Sequence, residues 1–364
     1  MLAWPAAILL AAWAISVKAE APAYERLQEA LPRFEQIAES GGWPTVPPGP
    51  TIEPGSDDPR IATVANRLAI SGDLPVPGTP EIYDEKLQSA VLRFQARHGL
   101  EQDALIGQQT LAALNVPVEQ RISQIRLNLD RTREVFATRR DDFLLVNIPA
   151  FTVTLFREGE ASVMTRVIVG ETDMQTPLFE APLKFVVLNP TWTVPRKIAS
   201  EELLPKIQND VSYLSRNAYD VMDRDGNAVD PADVEWTSLN KNNFPYTLVQ
   251  QPGPGNELGR IKFLFPNDYG VCMHDTPTKA LFARDSRAFS HGCVRLQDPV
   301  DFAGHLLAPE GWTDEQIAMR LDAKETYTIA LAEPLPVVLV YLTAEADDDG
   351  TVYFYRDIYE RDAG

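Results

Sequence analysis

FLLVNIPAFTVTLF, residues 143–156, is the stretch where the hydrophobic pattern of this chain changes from helical to strand-like. Short runs rich in β-branched and aromatic residues follow it, separated by Gly, Pro and charged turns, as in successive strands. These runs are VMTRVIVG (163–170), KFVVLN (184–189), YTLVQ (246–250), RIKFLF (260–265), GVCMH (270–274), PVVLVYL (336–342) and TVYFY (351–355). We therefore predict a mainly β domain over residues 143–364.

Residues 196–245 break this strand pattern. A helix is predicted after Ser200 and little alternation follows, so we interpret the segment as a helical and loop insert that covers the sheet as a flap. Its DRDGN sequence, residues 223–227, departs from a calcium-binding loop because the glycine is fourth rather than sixth and Glu235 is thirteenth rather than twelfth. A β-turn is the favoured interpretation.

Residues 60–136 carry the apolar spacing of short helices. Asp84 is placed to cap a helix that Gly99 ends, and Pro117 opens a longer helix. Upstream, residues 22–59 comprise a predicted helix and a Pro- and Gly-rich connector. The predicted fold class is therefore multi-domain α plus β, a small helical module followed by the mainly β domain.

The charge balance argues against a nucleic-acid partner. The chain has 33 Lys and Arg against 52 Asp and Glu, a formal net charge of −19 at pH 7. Such a field repels phosphate backbones and anionic lipid head groups. With 364 residues, of which 45% are hydrophobic, the chain is long enough for two or more globular domains.

The first 21 residues carry an apolar run that ends at Val17-Lys18-Ala19, a small-residue pattern suited to signal-peptidase cleavage. We expect an export signal and a periplasmic protein. No Lys or Arg precedes the run, so an uncleaved anchor in the inner membrane and a short buried helix stay as alternatives. Export would place Cys272 and Cys293 in an oxidising compartment, where a structural disulfide is one interpretation.

HDTPTKALFARDSRAFSHGCVRL, residues 274–296, holds two of the four histidines and one of the two cysteines. A zinc site is one interpretation of His274, His291 and Cys293, but a single glycine separates the last two, a cramped spacing for joint ligation. A nucleophilic thiol explains more, because an imidazole near Cys293 can take its proton and yield the reactive thiolate. Gly292 lets backbone amides approach a developing oxyanion, which suits acyl transfer.

His274 followed by Ser290-His291-Gly292-Cys293-Val294-Arg295 resembles the signature of the L,D-transpeptidases with a YkuD-type catalytic domain, enzymes that cross-link bacterial peptidoglycan. Other stretches are similar to the branch of that family with an insert over the active site. They are VNIPAF (146–151), RVIVG (166–170), NPTWTVP (189–195), HDTP (274–277) and DIYERD (357–362). VLRFQARHGLEQDALIGQQTLAALN, residues 91–115, resembles the helical peptidoglycan-binding domain often joined to it.

The resemblance implies a role for each matching residue. Cys293 would be the nucleophile and His274 its base, while a backbone carbonyl at Asp275 or its neighbour would fix the imidazole tautomer. The residues that would shape the oxyanion pocket are Ser290, His291 and Gly292.

Arg295, Trp192 and Cys272 are the candidates for substrate binding. Arg295 would meet a substrate carboxylate or hold a loop carbonyl, and Trp192 stands at the threshold of the flap. Cys272 departs from the family pattern, which commonly has an aromatic residue two positions before the histidine. Because residues 272 and 274 of a strand point to the same face, we hypothesise that Cys272 widens the pocket or forms a reversible disulfide with Cys293. A small apolar filler is the alternative.

The reaction implied by the resemblance is acyl transfer between peptidoglycan stem peptides. The Cys293 thiolate would attack the third, diaminopimelate-type residue of a donor tetrapeptide, D-Ala would leave, and an acceptor amine would resolve the thioester into a 3→3 cross-link. No metal, nucleotide or other cofactor is implied. With water or a lipoprotein amine as acceptor, the enzyme would be an L,D-carboxypeptidase or an anchoring transpeptidase. Outside this chemistry, the chain would be a non-catalytic peptidoglycan-binding scaffold or a generic thiol protease.

Overall fold

The computed structural model of the chain describes residues 22–75, 80–137 and 141–363. Its N-terminal part is helical and its C-terminal part is mainly β, which confirms the predicted fold class. The export segment expected over residues 1–21 lies outside the described residues. Within them, no helix is both long and apolar enough to cross a membrane.

The described residues between 22 and 137 form five helices. They are α1 (Pro22–Glu39), α2 (Ile61–Ser71), α3 (Glu85–Arg97), α4 (Gln108–Leu114) and α5 (Val118–Ala137). Asp84 caps α3 as predicted, because its carboxylate accepts the Leu87 amide at 2.9 Å. Gly99 follows this helix with φ +59°, a left-handed conformation that ends helices.

Two hydrophobic cores divide these helices. Helices α2, α3 and α4 share one core, to which the connector contributes Val46 and Ile52. Ile52 also pairs with Ile106 in an isolated antiparallel bridge, so the connector is ordered although it forms no helix. Helix α5 belongs to the other core, where it packs against α1 and a C-terminal hairpin at residues 344–354. The sequence grouped α5 with the helical module because an apolar helix face does not reveal its partner.

The strands, in chain order, are β1 (Phe143–Asn147), β2 (Thr152–Arg157), β3 (Glu160–Gly170), β4 (Glu180–Leu188), β5 (Trp192–Thr193), β6 (Tyr219–Met222), β7 (Ala228–Val229), β8 (Thr247–Gln250), β9 (Ile261–Leu264), β10 (Met273–His274), β11 (Ala288–Ser290), β12 (Val294–Leu296), β13 (Tyr327–Val340), β14 (Ala344–Ala346) and β15 (Val352–Phe354). β14 and β15 form the C-terminal hairpin.

The insert has a sheet of its own as well as helices. Its helical part is α6 (Arg196–Ile198), a π-helical turn (Ala199–Leu203), α7 (Leu204–Asn209) and α8 (Ser212–Arg216). Its antiparallel sheet has the order β5-β8-β6-β7 and includes the two strands that flank residues 196–245, so the observed insert extends over residues 192–250. YTLVQ was predicted as a strand and forms β8, but it pairs in this sheet rather than in the sheet of the β domain. The sequence did not predict β6 and β7, which are only four and two residues long. DRDGN is the turn between β6 and β7, where the Gly226 amide donates to the Asp223 carbonyl at 3.2 Å, the hydrogen bond of a β-turn, so the β-turn prediction is confirmed.

The remaining strands outside the hairpin form one nine-stranded sheet, in the order β11-β3-β12-β10-β9-β4-β13-β1-β2. Because β2 also pairs with β3, the sheet closes into a ring around its hydrophobic core. Alternate residues of β2, Val153 and Leu155, point into that core, as the period of two in the sequence requires. Helices α9 (Pro299–Leu307) and α10 (Asp314–Asp322) close the core with Phe302 and Ile317.

Candidate active site

Three neighbouring strands bring the distant parts of the 274–296 motif together. β10 lies between β9, with which it is antiparallel, and β12, with which it is parallel. In this register His274 stands opposite Lys262 on one side and Arg295 on the other. The pair Met273 and Val294 is also in register, so Cys293 lies beside the residue that precedes β10.

Cys272, His274 and Cys293 form a compact cluster. The two sulfur atoms and an imidazole nitrogen all lie within 4.8 Å of one another. Both cysteines are free thiols, with their Sγ atoms 3.6 Å apart, and the Cys272 amide points at the Cys293 Sγ at 3.4 Å. The structure therefore places the predicted nucleophile next to the predicted base, and it places the unexpected second thiol next to both.

The imidazole of His274 is fixed in one tautomer. Its Nδ1 lies 2.5 Å from the carbonyl oxygen of Asp275, and because a carbonyl only accepts, Nδ1 carries the proton. The other nitrogen, Nε2, then has its lone pair free for a thiol proton. Burial, reinforced by the charge of Arg295, lowers the pKa of His274 to about 3, so the ring is neutral near pH 7.

The two thiols differ in acidity. A hydrogen bond from the Cys272 thiol is the main reason that the pKa of Cys293 falls to about 7, and it outweighs the opposing effect of burial. The Cys272 amide, Lys262 and Arg295 lower it further. The pKa of Cys272 is instead raised well above its usual value, by its hydrogen bond to Cys293 and by burial. Cys293 is therefore the thiol that ionises at neutral pH.

Ser290 and Gly292 shape the turn before the nucleophile. The Ser290 hydroxyl donates to the Cys293 carbonyl at 2.5 Å and accepts the Gly292 amide at 3.1 Å. Gly292 has φ +107°, a conformation that side-chain-bearing residues rarely adopt. Since the Gly292 amide is engaged, it is the Cys293 amide, which donates to no group in the described part of the chain, that is free to meet an oxyanion.

A buried network that the sequence did not reveal supports this turn from behind. The Thr176 hydroxyl donates to the Gly292 carbonyl and accepts the Gly170 amide, each at 2.9 Å. The Tyr359 hydroxyl in turn accepts the Thr176 amide at 3.2 Å and donates to the Gly170 carbonyl at 2.6 Å. Tyr359 lies in the DIYERD stretch, which was the one sequence signal for this network.

The insert touches the motif through His291. Its Nε2 lies 3.0 Å from a carboxylate oxygen of Glu202, in the π-helical turn, and both side chains are exposed. Trp192 starts the insert in β5 and is half-buried, and the aromatic contact that places it is with Tyr219 of the insert core. The contact of Glu202 with His291 thus joins the insert to the SHGC segment.

Lys262 and Arg295 are half-buried cations on either side of His274. Neither side chain forms a hydrogen bond or an ion pair with another residue of the described chain, and the Arg295 Nε is fully covered. The Asp275 carboxylate does not neutralise them, because it accepts the Arg260 and Thr276 amides and pairs with Lys279 at 2.7 Å. This leaves two uncompensated positive charges beside the thiol cluster.

Comparison with known protein families gives two matches. The YkuD family, described as the L,D-transpeptidase catalytic domain, matches residues 141–328. The PG_binding_1 family, described as "Putative peptidoglycan binding domain", matches residues 57–114.

Individual proteins similar to this chain are also named L,D-transpeptidases. A curated Haemophilus influenzae protein named "Putative L,D-transpeptidase" is 37% identical over 219 residues, which are 60% of this chain and 44% of that protein. The chain therefore spans less than half the length of this relative. The alignment with an L,D-transpeptidase structure from Stackebrandtia nassauensis covers 81% of this chain and 96% of that chain. The two are 14% identical in sequence, with a TM-score of 0.30. The alignment with an L,D-transpeptidase structure from Mycobacterium smegmatis covers 55% of this chain and 58% of that chain, at 14% identity and a TM-score of 0.25. At these scores the two likenesses carry no argument.

Proposed function

The chain belongs to the YkuD family of L,D-transpeptidases, a family of acyltransferases, and from that premise we propose that it forms 3→3 cross-links in peptidoglycan through a thioester on Cys293. The observation that carries this proposal is the position of the Cys293 sulfur, within 4.8 Å of an imidazole nitrogen of His274, whose ring is held through Nδ1 by the Asp275 carbonyl. A scaffold that only bound peptidoglycan would have no need of this arrangement.

Acylation would use both nitrogens of His274. Nε2 takes the Cys293 proton, and the imidazolium that forms is stabilised by the Asp275 carbonyl at Nδ1. The thiolate attacks the carbonyl carbon of the third stem residue, and the Cys293 amide donates to the oxyanion. When the tetrahedral intermediate collapses, the bond to D-Ala breaks and Nε2 returns its proton to the leaving amine. His274 is neutral again, and the stem is held as a thioester.

The second half-reaction would run the same steps in reverse order. The side-chain amine of a neighbouring stem enters where D-Ala left and attacks the thioester carbon. Nε2 accepts a proton from this amine and passes it to the departing Cys293 sulfur, which restores the thiol. No bond energy is needed beyond that of the broken peptide bond, because the thioester conserves it.

Lys262 and Arg295 fit an anionic donor. A tetrapeptide stem carries carboxylates on its diaminopimelate-type residue and on its terminal D-Ala, close to the bond that is cleaved. Two unpaired cations at the position of the base would bind these groups by charge-assisted hydrogen bonds. This would attract a short acidic peptide to a protein whose overall charge is −19.

The insert and the helical module would serve the choice of acceptor and the capture of substrate. Contact between Glu202 and His291 would hold the insert against the motif, so that water is kept from the thioester while the acceptor amine arrives. The helical module, through its match at residues 57–114, would retain peptidoglycan near the site. We further propose that residues 1–21 direct the protein to the periplasm, where peptidoglycan is found, either by cleavage or as an inner-membrane anchor.

The test is product analysis with purified protein and tetrapeptide-containing muropeptides. We expect dimers joined between two third-position residues, with release of D-Ala, and we expect Cys293→Ala and His274→Gln variants to form none. Tripeptides without dimers would identify an L,D-carboxypeptidase, and product from the Cys293→Ala variant would contradict the proposed chemistry. Carbapenem treatment followed by mass spectrometry separates the enzyme from a scaffold, since a scaffold would show no adduct on Cys293.

A further inference from the structure

We propose that Cys272, His274 and Cys293 also form a binding site for a thiophilic d10 metal ion, with Zn²⁺ as the probe, and that an ion bound there blocks the nucleophile. The ion would be a reversible ligand of the resting enzyme and not a cofactor of its reaction. Metal binding is independent of the proposed function, whereas the blocking effect rests on it.

The spacing of the sulfur atoms fits a metal site. Zinc–sulfur bonds are about 2.3 Å long, so two thiolates on one tetrahedral zinc lie about 3.8 Å apart. The Sγ atoms of Cys272 and Cys293 are 3.6 Å apart. A disulfide would instead require about 2.05 Å between them, so the sulfurs would have to move together by about 1.5 Å. The observed separation needs little adjustment for an ion and much more for a covalent bond.

His274 presents the correct atom for ligation. Its Nδ1 donates to the Asp275 carbonyl, which leaves Nε2 as the free ligand atom. Histidines that bind metals usually donate their other ring nitrogen to a carboxylate or a backbone carbonyl in this way. Cys272, just before β10, is two positions from His274 in extended chain, and Cys293, just before the parallel strand β12, lies beside it. The three ligand atoms therefore face one another within 4.8 Å.

The burial and charge of the cluster suit a soft ion. Cys272 and His274 are 8% and 4% exposed, so these ligands are already largely desolvated. Binding of a divalent ion would release both thiol protons to solvent and leave a neutral unit of one dication and two thiolates. The charges of Lys262 and Arg295 oppose the ion, but Lys262 favours both thiolates and Arg295 favours that of Cys293. A fourth position would be left for water or an incoming ligand.

This ligand set differs from the zinc interpretation of the sequence. That interpretation required His291 beside Cys293, but the structure turns His291 towards Glu202. Cys272 supplies the missing ligand instead, at the position where the family resemblance led us to expect an aromatic residue. The departure from that pattern is therefore what converts a two-residue catalytic pair into a three-ligand cluster.

Cobalt absorption tests the site without any assay of activity. We expect the reduced full-length protein to bind one Co²⁺ with a thiolate-to-cobalt charge-transfer band, and Zn²⁺ to displace it. Cys272→Ala should weaken Zn²⁺ binding by more than about tenfold, since even the loss of an outer hydrogen-bond partner costs tenfold or more. His291→Ala is the matched control and should keep both the band and the affinity. The absence of the band, or equal Zn²⁺ affinity in Cys272→Ala and the parent, would overturn the proposal.

Carbapenem acylation then tests the blocking effect. Zn²⁺ should prevent the adduct on Cys293 in the parent protein, and a chelator should restore it. Cys272→Ala, compared with its own metal-free rate, should resist the same Zn²⁺ concentration. If cobalt binds as expected but the metal-free enzyme makes no cross-links, the proposed function fails and the metal site stands. If unreduced protein lacks titratable thiols and binds no metal until a reductant is added, the pair forms a disulfide at rest, and the proposal that an ion blocks the resting enzyme is refuted.

Discussion

Replacement of Cys272 by alanine should make Cys293 a weaker acid. The Cys272 thiol is the largest cause of the low pKa of Cys293, about 7. A hydrogen bond to a charged group contributes about 1.5–3 kcal/mol, which corresponds to roughly one to two pKa units. We therefore expect the pKa of Cys293 to rise by at least about one unit in Cys272→Ala. At pH 7 its thiolate fraction would fall from about one half to about one tenth or less.

The measurement is the rate of iodoacetamide alkylation of Cys293 as a function of pH. The rate rises with pH as the thiolate forms, and the midpoint of that rise reports the pKa. The midpoint is more informative than the rate at one pH, because a thiolate of higher pKa is intrinsically more nucleophilic and partly offsets its lower abundance. Cys293 carries the alkylation signal, and its modification is confirmed by mass spectrometry of the labelled peptide.

Cys272→Ser is the matched control, because its hydroxyl keeps a hydrogen-bond donor at the same position. We expect its midpoint to stay closer to that of the parent than the midpoint of Cys272→Ala does. An unchanged midpoint in Cys272→Ala would show that the second thiol does not tune the first. An equal shift in both variants would assign the effect to packing rather than to hydrogen bonding.

Three further results are expected. Thr176→Val removes the hydroxyl that bonds the Gly292 carbonyl and the Gly170 amide. We therefore expect the free energy of unfolding in urea titrations to fall by about 2–4 kcal/mol and the acylation rate to fall as well. Thr176→Ser keeps the hydroxyl and should restore both the stability and the rate. Lys262→Met should raise KM by about tenfold for donors with free carboxylates, with a smaller change in kcat and little effect on donors whose carboxylates are amidated; equal losses for both donors would contradict a carboxylate site. Burial holds the pKa of His98 well below 6.5, so the unfolded chain binds a proton at this residue more readily than the folded chain. The free energy of unfolding should therefore fall as the pH drops below 6.5, by about 1.4 kcal/mol per pH unit for this group. Urea unfolding of His98→Gln between pH 6 and 4 should show a decline that is shallower by that amount.

The sequence predicted the parts of the site that lie close together in the chain or carry rare residue types. Cys293 and His274 stood out because cysteine and histidine are scarce, and strand alternation placed Cys272 on the same face as His274. Lys262 did not stand out, since it is one of 33 basic residues and only the register of β9 with β10 puts it beside the base. Glu202 likewise required the fold of the insert over the motif.

Thr176 was beyond the sequence for a different reason. It is 116 positions from Gly292, in a loop with no periodic pattern, and threonine is common. The grouping of α5 with α1 and the C-terminal hairpin was also not predictable. An amphipathic pattern fixes which face of a helix is buried, but not which of several apolar surfaces covers it. Contacts between segments far apart in the chain depend on the completed topology.

Helix α5 connects the helical module to the sheet domain as a continuous, packed helix rather than as a flexible linker. Its 20 residues span about 30 Å, and α1 and the C-terminal hairpin brace it along the way. The module also touches that hairpin directly, since His98 stacks on Phe354. If the module retains peptidoglycan as proposed, this packing would hold the bound polymer at a nearly constant distance from the sheet that carries Cys293.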